Sequence, residues 1–171
     1  RILKLKKNNL NYMELNNHID QIDKLNKINN LKLIKFINKN SIKITLPKKN
    51  LILSPSDISL RNIINNNNND FYIDFEYFGW DDPCKTLSDI IWHPSMKMNN
   101  ENYKKIIFEF NKLFSDDKYF KNRLNFTFNL YGVRWSLILL NIFSKYYPSN
   151  FKKLDISTKN KLLKQLNKSK K

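Results

Sequence analysis

The chain has 171 residues, 31 Lys and Arg against 15 Asp and Glu, and a single cysteine. That length suits one domain, or two small ones, with a sizeable core. An apolar content of 41% with 13% aromatics excludes a disordered tail, and the lone Cys84 excludes a disulfide framework or a multi-cysteine zinc site. No apolar run approaches the roughly 18 residues of a membrane span. The basic start, Arg1–Lys7, has no apolar stretch of the signal-peptide kind behind it. The expectation is a soluble, cytoplasmic protein.

The net charge of +16 points at first to nucleic acid. The composition argues otherwise: 28 Asn and 27 Lys stand beside 4 Arg, 2 Gly and no Ala. Asn, Lys and Ile have AT-rich codons, so the lysines read as base drift at tolerant surface positions. Selection for phosphate contacts favours Arg, whose planar fork binds phosphate bidentately. Nucleic-acid binding is therefore the disfavoured reading. The charge is also uneven. Residues 57–89 hold seven acids (Asp57, Asp70, Asp74, Glu76, Asp81, Asp82 and Asp89) against Arg61 and Lys85, which gives −5 there and +21 elsewhere. Acids favour turns and helix starts, and Mg²⁺ also takes hard oxygen ligands from one or two carboxylates.

In chain order, residues Asn11–Asn38 read as one or two helices with Leu15, Ile19, Ile22, Leu25 and Ile28 on one stripe. Leu51–Leu53 reads as a short strand, followed by the Ser54-Pro55-Ser56 turn. Ile63–Ile64 and Phe71–Ile73 flank Asn65–Asn69, a low-complexity run read as the expanded loop of a small hairpin, because Asn tolerates left-handed backbone. Asp82-Pro83 opens a helix with Leu87, Ile90 and Ile91 on one side. Tyr103, Ile106, Ile107, Phe110, Leu113 and Phe114 recur at helical spacing, which predicts an amphipathic helix over Asn102–Phe114. Tyr131–Phe143 is nearly all apolar and predicts a buried central helix. A lysine-rich helix over Thr158–Leu166 closes the chain. The fold class is α+β, mainly α.

Two loops carry the chemistry. In the first, Asp57 and Asn62 lie five apart after a short strand, the D-x-x-x-x-N spacing in which a kinase Asp accepts the substrate hydroxyl proton and the Asn holds Mg²⁺. In a chain with 28 Asn that spacing arises readily by chance. The second loop adds weight. Asp74 follows an apolar strand across the hairpin, where the same template puts a second metal ligand. Gly79, in a glycine-starved chain, suggests a backbone conformation that other residues avoid.

These two loops, Asp57…Asn62 and then Asp74-Phe75-Glu76-Tyr77-Phe78-Gly79-Trp80-Asp81-Asp82-Pro83-Cys84-Lys85 with Asp89 and His93-Pro94, resemble a segment of bacterial enzymes in the aminoglycoside phosphotransferase and choline kinase superfamily. A second block, Arg123-Leu124 and Leu130 through Trp135 to Asn141, is similar to a helix of that group. The likeness covers roughly residues 50–145. It implies a protein-kinase-like C-terminal lobe, with a catalytic-loop hairpin packed on a helical bundle. Residues 1–50 would form a helical leader, 51–94 the catalytic and metal loops, and 95–171 the helical remainder. It implies Mg²⁺-dependent transfer of the ATP γ-phosphate to a hydroxyl of a small molecule: a sugar, an amino alcohol or an aminoglycoside-like compound. Carried over by residue, Asp57 becomes the catalytic base, and Asn62 and Asp74 become the Mg²⁺ ligands on which ATP would sit. Glu76, Trp80 and Asp81 become candidate substrate contacts.

Three positions depart from the family pattern. Pro55-Ser56 precede Asp57 where a His is usual, and Leu60-Arg61 precede Asn62 where many members have His or Pro. Thr86 stands where aminoglycoside enzymes often carry Asp, which argues against an antibiotic substrate. The chain holds no Gly-rich loop and no Gly before Gly79. The expectation is a C-terminal lobe whose nucleotide-binding N-lobe lies upstream, inactive by itself. The alternatives are a kinase-fold binding module without catalysis, or a basic nucleic-acid- or membrane-surface protein relying on lysines such as those of Lys161–Lys171.

The remaining chemical side chains have structural readings. His93 before Pro94 reads as a helix cap or a packed side chain, and His18 as exposed. Cys84 sits in the first turn of a helix, where a thiolate gains some stability, and reads as packing. Trp80 and Tyr77 could stack on a substrate ring or cation. Trp135 reads as core.

Overall fold

The computed structural model describes residues 2–7, 12–40, 45–96, 98–146 and 150–170; Arg1 and Asn11, which the sequence reading placed in a basic start and a helix, lie outside them. Among the described residues the protein is mainly helical, with two small antiparallel sheets. The helices are α1 Ile2–Lys7, α2 Met13–Asn40, α3 Pro83–Trp92, α4 Asn100–Leu113, α5 Phe120–Leu140 and α6 Ile156–Ser169. The strands are β1 Ile52–Ser54, β2 Ile63–Asn66, β3 Asn69–Tyr72 and β4 Gly79–Asp81. None of these helices is long and apolar enough to cross a membrane. The chain forms two compact units, residues 1–32 with 132–171, and residues 33–131.

In the first unit, Leu15, Ile19 and Ile22 of α2 recur at helical spacing and bury against Leu5, Leu137, Leu140, Phe143, Leu162 and Leu166. Leu162 and Leu166 are fully buried, each contributing about 1.5–3 kcal/mol by leaving water. The predicted stripe continues to Leu25 and Ile28, yet these are 54% and 38% exposed. A stripe identifies the apolar face of a helix but not how far a partner reaches along it. Trp135 is only partly buried.

His18 is buried rather than exposed. It lies three residues after Leu15 and four before Ile22, so it shares the core-facing side of α2. Its Nε2 lies 3.0 Å from Ser169 Oγ, and that hydroxyl donates onward to the Leu166 carbonyl at 2.7 Å. The hydroxyl oxygen therefore accepts, and the imidazole proton sits on Nε2. Burial holds the imidazole below its ordinary value. The folded state thus favours neutral His18. Its contribution to stability is complete above about pH 6.5, the unfolded value, and is lost as pH falls below that. The unfolding midpoint is expected to drop between pH 7.5 and 5.5, and His18→Gln is expected to flatten that slope in pH-dependent thermal melts.

In the second unit, Cys84 and Leu87 of α3 pack on Phe120 and Leu124 of α5, with Ile91, Ile106, Ile107, Phe110 and Phe114 around them. The Asp82-Pro83 start is as the sequence predicts: Asp82 Oδ1 accepts the Cys84 N–H at 2.8 Å, and Pro83 occupies the first turn. Arg123 ties this start to α5, its Nη2 on Asp82 Oδ1 at 3.2 Å and its Nη1 on Asp117 Oδ2 at 2.7 Å. Asn99 caps α4 by accepting from the Asn102 N–H at 2.7 Å. Helix α5 begins eleven residues before the predicted Tyr131. Its first half alternates Leu124, Phe126, Phe128 and Leu130 with Asn and Thr, a period of two that disguises a helix. Tertiary contact decides for the helix, with Trp92 Nε1 donating to the Phe128 carbonyl at 2.8 Å.

The asparagine run is not an expanded loop. Asn65 and Asn66 lie in β2 and Asn69 opens β3, leaving Asn67-Asn68 as a two-residue turn at φ 49° and 67°. Two left-handed residues are what a type I′ hairpin requires, and Asn is the non-glycine residue that best supplies them. The register pairs Ile63 with Tyr72 and Asn66 with Asn69. From Ile64 onward the hairpin is exposed on both strands, rather than packed on the helices as the resemblance implies. The other sheet pairs β1 with β4, Ser54 opposite Gly79 and Ile52 opposite Asp81.

Candidate active site

The two loops of interest are held together by this pairing. Beyond β1 the chain makes a three-residue turn, the Asp57 N–H donating to the Pro55 carbonyl at 2.7 Å around Ser56 at φ 61°. That is the rarer, strained hand of the γ-turn. Two hydrogen bonds hold it: the Ser56 N–H to Ser54 Oγ at 3.0 Å, and Ser56 Oγ to Asp81 Oδ2 at 2.9 Å. Strained backbone that its surroundings over-determine is concentrated at functional sites. Here the strain sets the direction in which Asp57 leaves the strand.

Asn62 closes the loop. Its side-chain Nδ2 donates to the Asp57 carbonyl at 3.0 Å. The five-residue spacing thus has a local cause, an amide reaching back to the backbone that carries the acid. A 3₁₀ turn over Leu60–Asn62, capped by Ser59, brings it there. The Asn62 carbonyl accepts the Ile73 N–H at 2.9 Å, so Asp74 directly follows the residue bonded to Asn62 where the hairpin opens. Asp74 itself is left-handed at φ 66°, a conformation Asp adopts more readily than most residues.

Glu76 is hydrogen-bonded to the Tyr77 hydroxyl, and the Asp74 and Asp57 charges add to it, holding that hydroxyl above its usual value. Trp80 is 54% exposed on β4, with Lys48 Nζ 5.2 Å from its ring centre. Asp81 faces inward. It accepts from Ser56 and pairs with Lys85, which also lies 3.4 Å from Asp89. Lys85 is therefore committed to two acids one helical turn on either side of it.

The sequence reading placed no chemistry at His93. It does cap α3, its N–H bonding the Asp89 carbonyl at 2.9 Å. Its ring also reaches the site, Nε2 lying 3.7 Å from Asp57 Oδ1. Burial lowers its affinity for a proton, Arg61 lowers it further, and Asp57 and Asp89 partly oppose this. Only the fold could reveal the contact, because the sequence gives no measure of where α3 ends relative to the Asp57 loop.

Cys84 packs as the sequence predicts, though without the thiolate stability of a helix start, and the reading of Gly79 is corrected. Cys84 is fully buried, and burial together with the Asp82 charge pushes its thiol well up. Desolvation outweighs the helix start, which would have favoured thiolate. Gly79 has no positive φ, and a Cβ built on it would meet nothing within 4 Å. The left-handed positions of the site are Ser56 and Asp74 instead. Gly79→Ala is accordingly expected to stabilise the protein by about 0.5–1 kcal/mol, chiefly by restricting the unfolded chain; urea midpoints measure this.

Among the described residues no three His, Cys, Asp or Glu side chains form a metal-holding group. Asn62 and Asp74, the cation ligands expected from the sequence, would offer an amide oxygen and one carboxylate. Sets of that size suit Mg²⁺ that keeps waters and phosphate oxygens as its other ligands. With Nδ2 engaged by Asp57, the Asn62 amide has Oδ1 as its donor atom toward a cation. No protein-family model, curated protein or solved structure matches the chain.

Proposed function

We propose that this chain carries the acceptor-side half of a Mg²⁺-dependent phosphotransferase with a kinase-like C-terminal lobe, moving the ATP γ-phosphate to a hydroxyl of a small molecule. The observation that carries the reading is the hydrogen bond from Asn62 Nδ2 to the Asp57 carbonyl. It joins the base and the amide ligand of the D-x-x-x-x-N template into one rigid loop. The backbone bond from Ile73 to Asn62 supports the reading by bringing Asp74 to the same strand end.

In this reading Asp57 orients the acceptor hydroxyl and receives its proton. Asn62 and Asp74 would hold Mg²⁺. When bound, the cation would supply neutralisation of phosphate charge. Tyr77 and Trp80, both largely exposed, offer faces on which an acceptor ring or cation can stack. Glu76 supplies charge for a cationic acceptor. Asp81, turned to Ser56 and Lys85, acts by holding the Ser56 turn. The phosphate clamp lies outside these residues.

Mn²⁺ with ADP tests the reading directly on the ¹⁵N-labelled chain. Paramagnetic broadening is expected first around Asn62 and Asp74, and it is expected to disappear in Asp74→Asn. Broadening centred elsewhere, or unchanged in that variant, would overturn the assignment.

A further inference from the structure

We infer that His93 is a positioning residue for Asp57: Ser95 locks the imidazole as its Nε2–H tautomer, and Nε2 is the ring nitrogen that stands beside the Asp57 carboxylate. The catalytic meaning of this pairing rests on the phosphotransferase reading; the geometry does not.

The tautomer follows from donor and acceptor counting. The Ser95 backbone N–H lies 3.2 Å from His93 Nδ1. An amide N–H only donates, so Nδ1 accepts and carries no proton. Ser95 Oγ lies 2.7 Å from the same nitrogen and then donates as well. A neutral imidazole has one proton, which is therefore on Nε2, facing Asp57 Oδ1 at 3.7 Å. That separation exceeds a hydrogen bond. Catalytic contacts often stand long in the free protein and tighten when substrate arrives.

The frame around the pair is rigid. Asp82-Pro83 starts α3 and His93-Pro94 stops it, because the residue before proline prefers extended backbone; His93 has φ −63° and ψ 127°. The start of α3 follows β4, which pairs with β1, and β1 leads into the Asp57 turn. The helix thus spans from one side of the loop to the other and returns its last side chain to the acid. His93 is 14% exposed and Asp57 is 44% exposed. The imidazole therefore approaches from the protein side and leaves the carboxylate open to an incoming hydroxyl. Among the described residues, the charged groups acting on His93 include Asp57, Arg61 and Asp89.

Long-range ¹H–¹⁵N correlation of the imidazoles in the full chain tests this, with His18→Gln separating the two histidines. At pH 7.5 the expected result is the Nε2–H tautomer for His93. In Asp57→Asn the His93 titration midpoint is expected to fall, since the carboxylate favouring imidazolium is gone. In Ser95→Ala the Nδ1–H fraction is expected to rise. An Nδ1–H tautomer in the parent protein, or a midpoint indifferent to Asp57→Asn, would overturn the inference. In a phosphoryl-transfer assay His93→Leu is expected to lower kcat on the order of ten- to a hundredfold at unchanged metal–nucleotide affinity. His93→Gln, whose terminal amide can donate from nearly the same place, is expected to recover most of it. Transfer by His93→Leu at the parent rate would overturn the positioning role. Coupling in the spectra with no phosphoryl transfer even when a nucleotide-binding lobe is supplied would instead sink the phosphotransferase reading and leave the pairing intact.

Discussion

Asp74→Asn is expected to abolish phosphoryl transfer together with metal–nucleotide binding, whereas Asp57→Asn is expected to lower kcat by about 10²–10⁴ and leave nucleotide affinity nearly unchanged. The difference follows from when each group acts. On the phosphotransferase reading Asp74 holds the cation in the ground state, so its loss is felt on binding. Asp57 acts only as the acceptor hydroxyl attacks, an interaction made in the transition state alone. Asparagine keeps the size of each side chain, and Asp57 bonds Asn62 through its backbone carbonyl, so the loop survives the change. The measurement is kcat and metal–ATP affinity for both variants, in a form of the protein that transfers phosphate. Parent-rate turnover by Asp57→Asn would favour a kinase-fold binding module without catalysis.

Phe120→Ala is expected to destabilise the protein by about 3–5 kcal/mol, a large part of the margin typical of a domain. Phe120 is 1% exposed and stacks on Phe114, ring centres 5.2 Å apart. Its carbonyl accepts the Cys84 thiol at 3.5 Å. Removing the ring opens a cavity against Cys84 and Leu87, on the helix that runs from the acidic loop to His93. Denaturant titration gives the loss, and Phe120→Leu, which refills part of the space, is expected to recover more than half of it.

Local chemistry was legible in the residues themselves. Asp82-Pro83 announces a helix start because a carboxylate satisfies free backbone N–H groups and proline lacks one. The asparagines between two apolar pairs announce a hairpin because Asn accepts left-handed backbone. The mainly helical class with small β elements followed from periodicity. The D-x-x-x-x-N spacing turned out to have a physical cause in the bond from Asn62 to the Asp57 backbone.

What escaped the sequence depends on which elements meet. His18 and Leu25 both lie on the apolar side of α2, yet one is buried and the other exposed, according to where partners end. Gly79 drew attention as a rarity, while the strained positions fell on Ser56 and Asp74. Composition counts glycines, but the left-handed turn at Ser56 is held by hydrogen bonds to Ser54 and Asp81. Cys84 packs as its sequence reading expects, but burial against Phe120 and Leu124 removes the thiolate stability that the first turn of α3 offers. His93 and Asp57 are separated in sequence by a hairpin, a strand and a helix; their 3.7 Å approach exists only because β1 pairs with β4 and α3 has the length to return. The sequence by itself determined caps, turns and faces, because these are interactions within one or two turns of chain. Tertiary structure alone decided burial, protonation and the pairing of His93 with Asp57, because each depends on groups brought together across the fold.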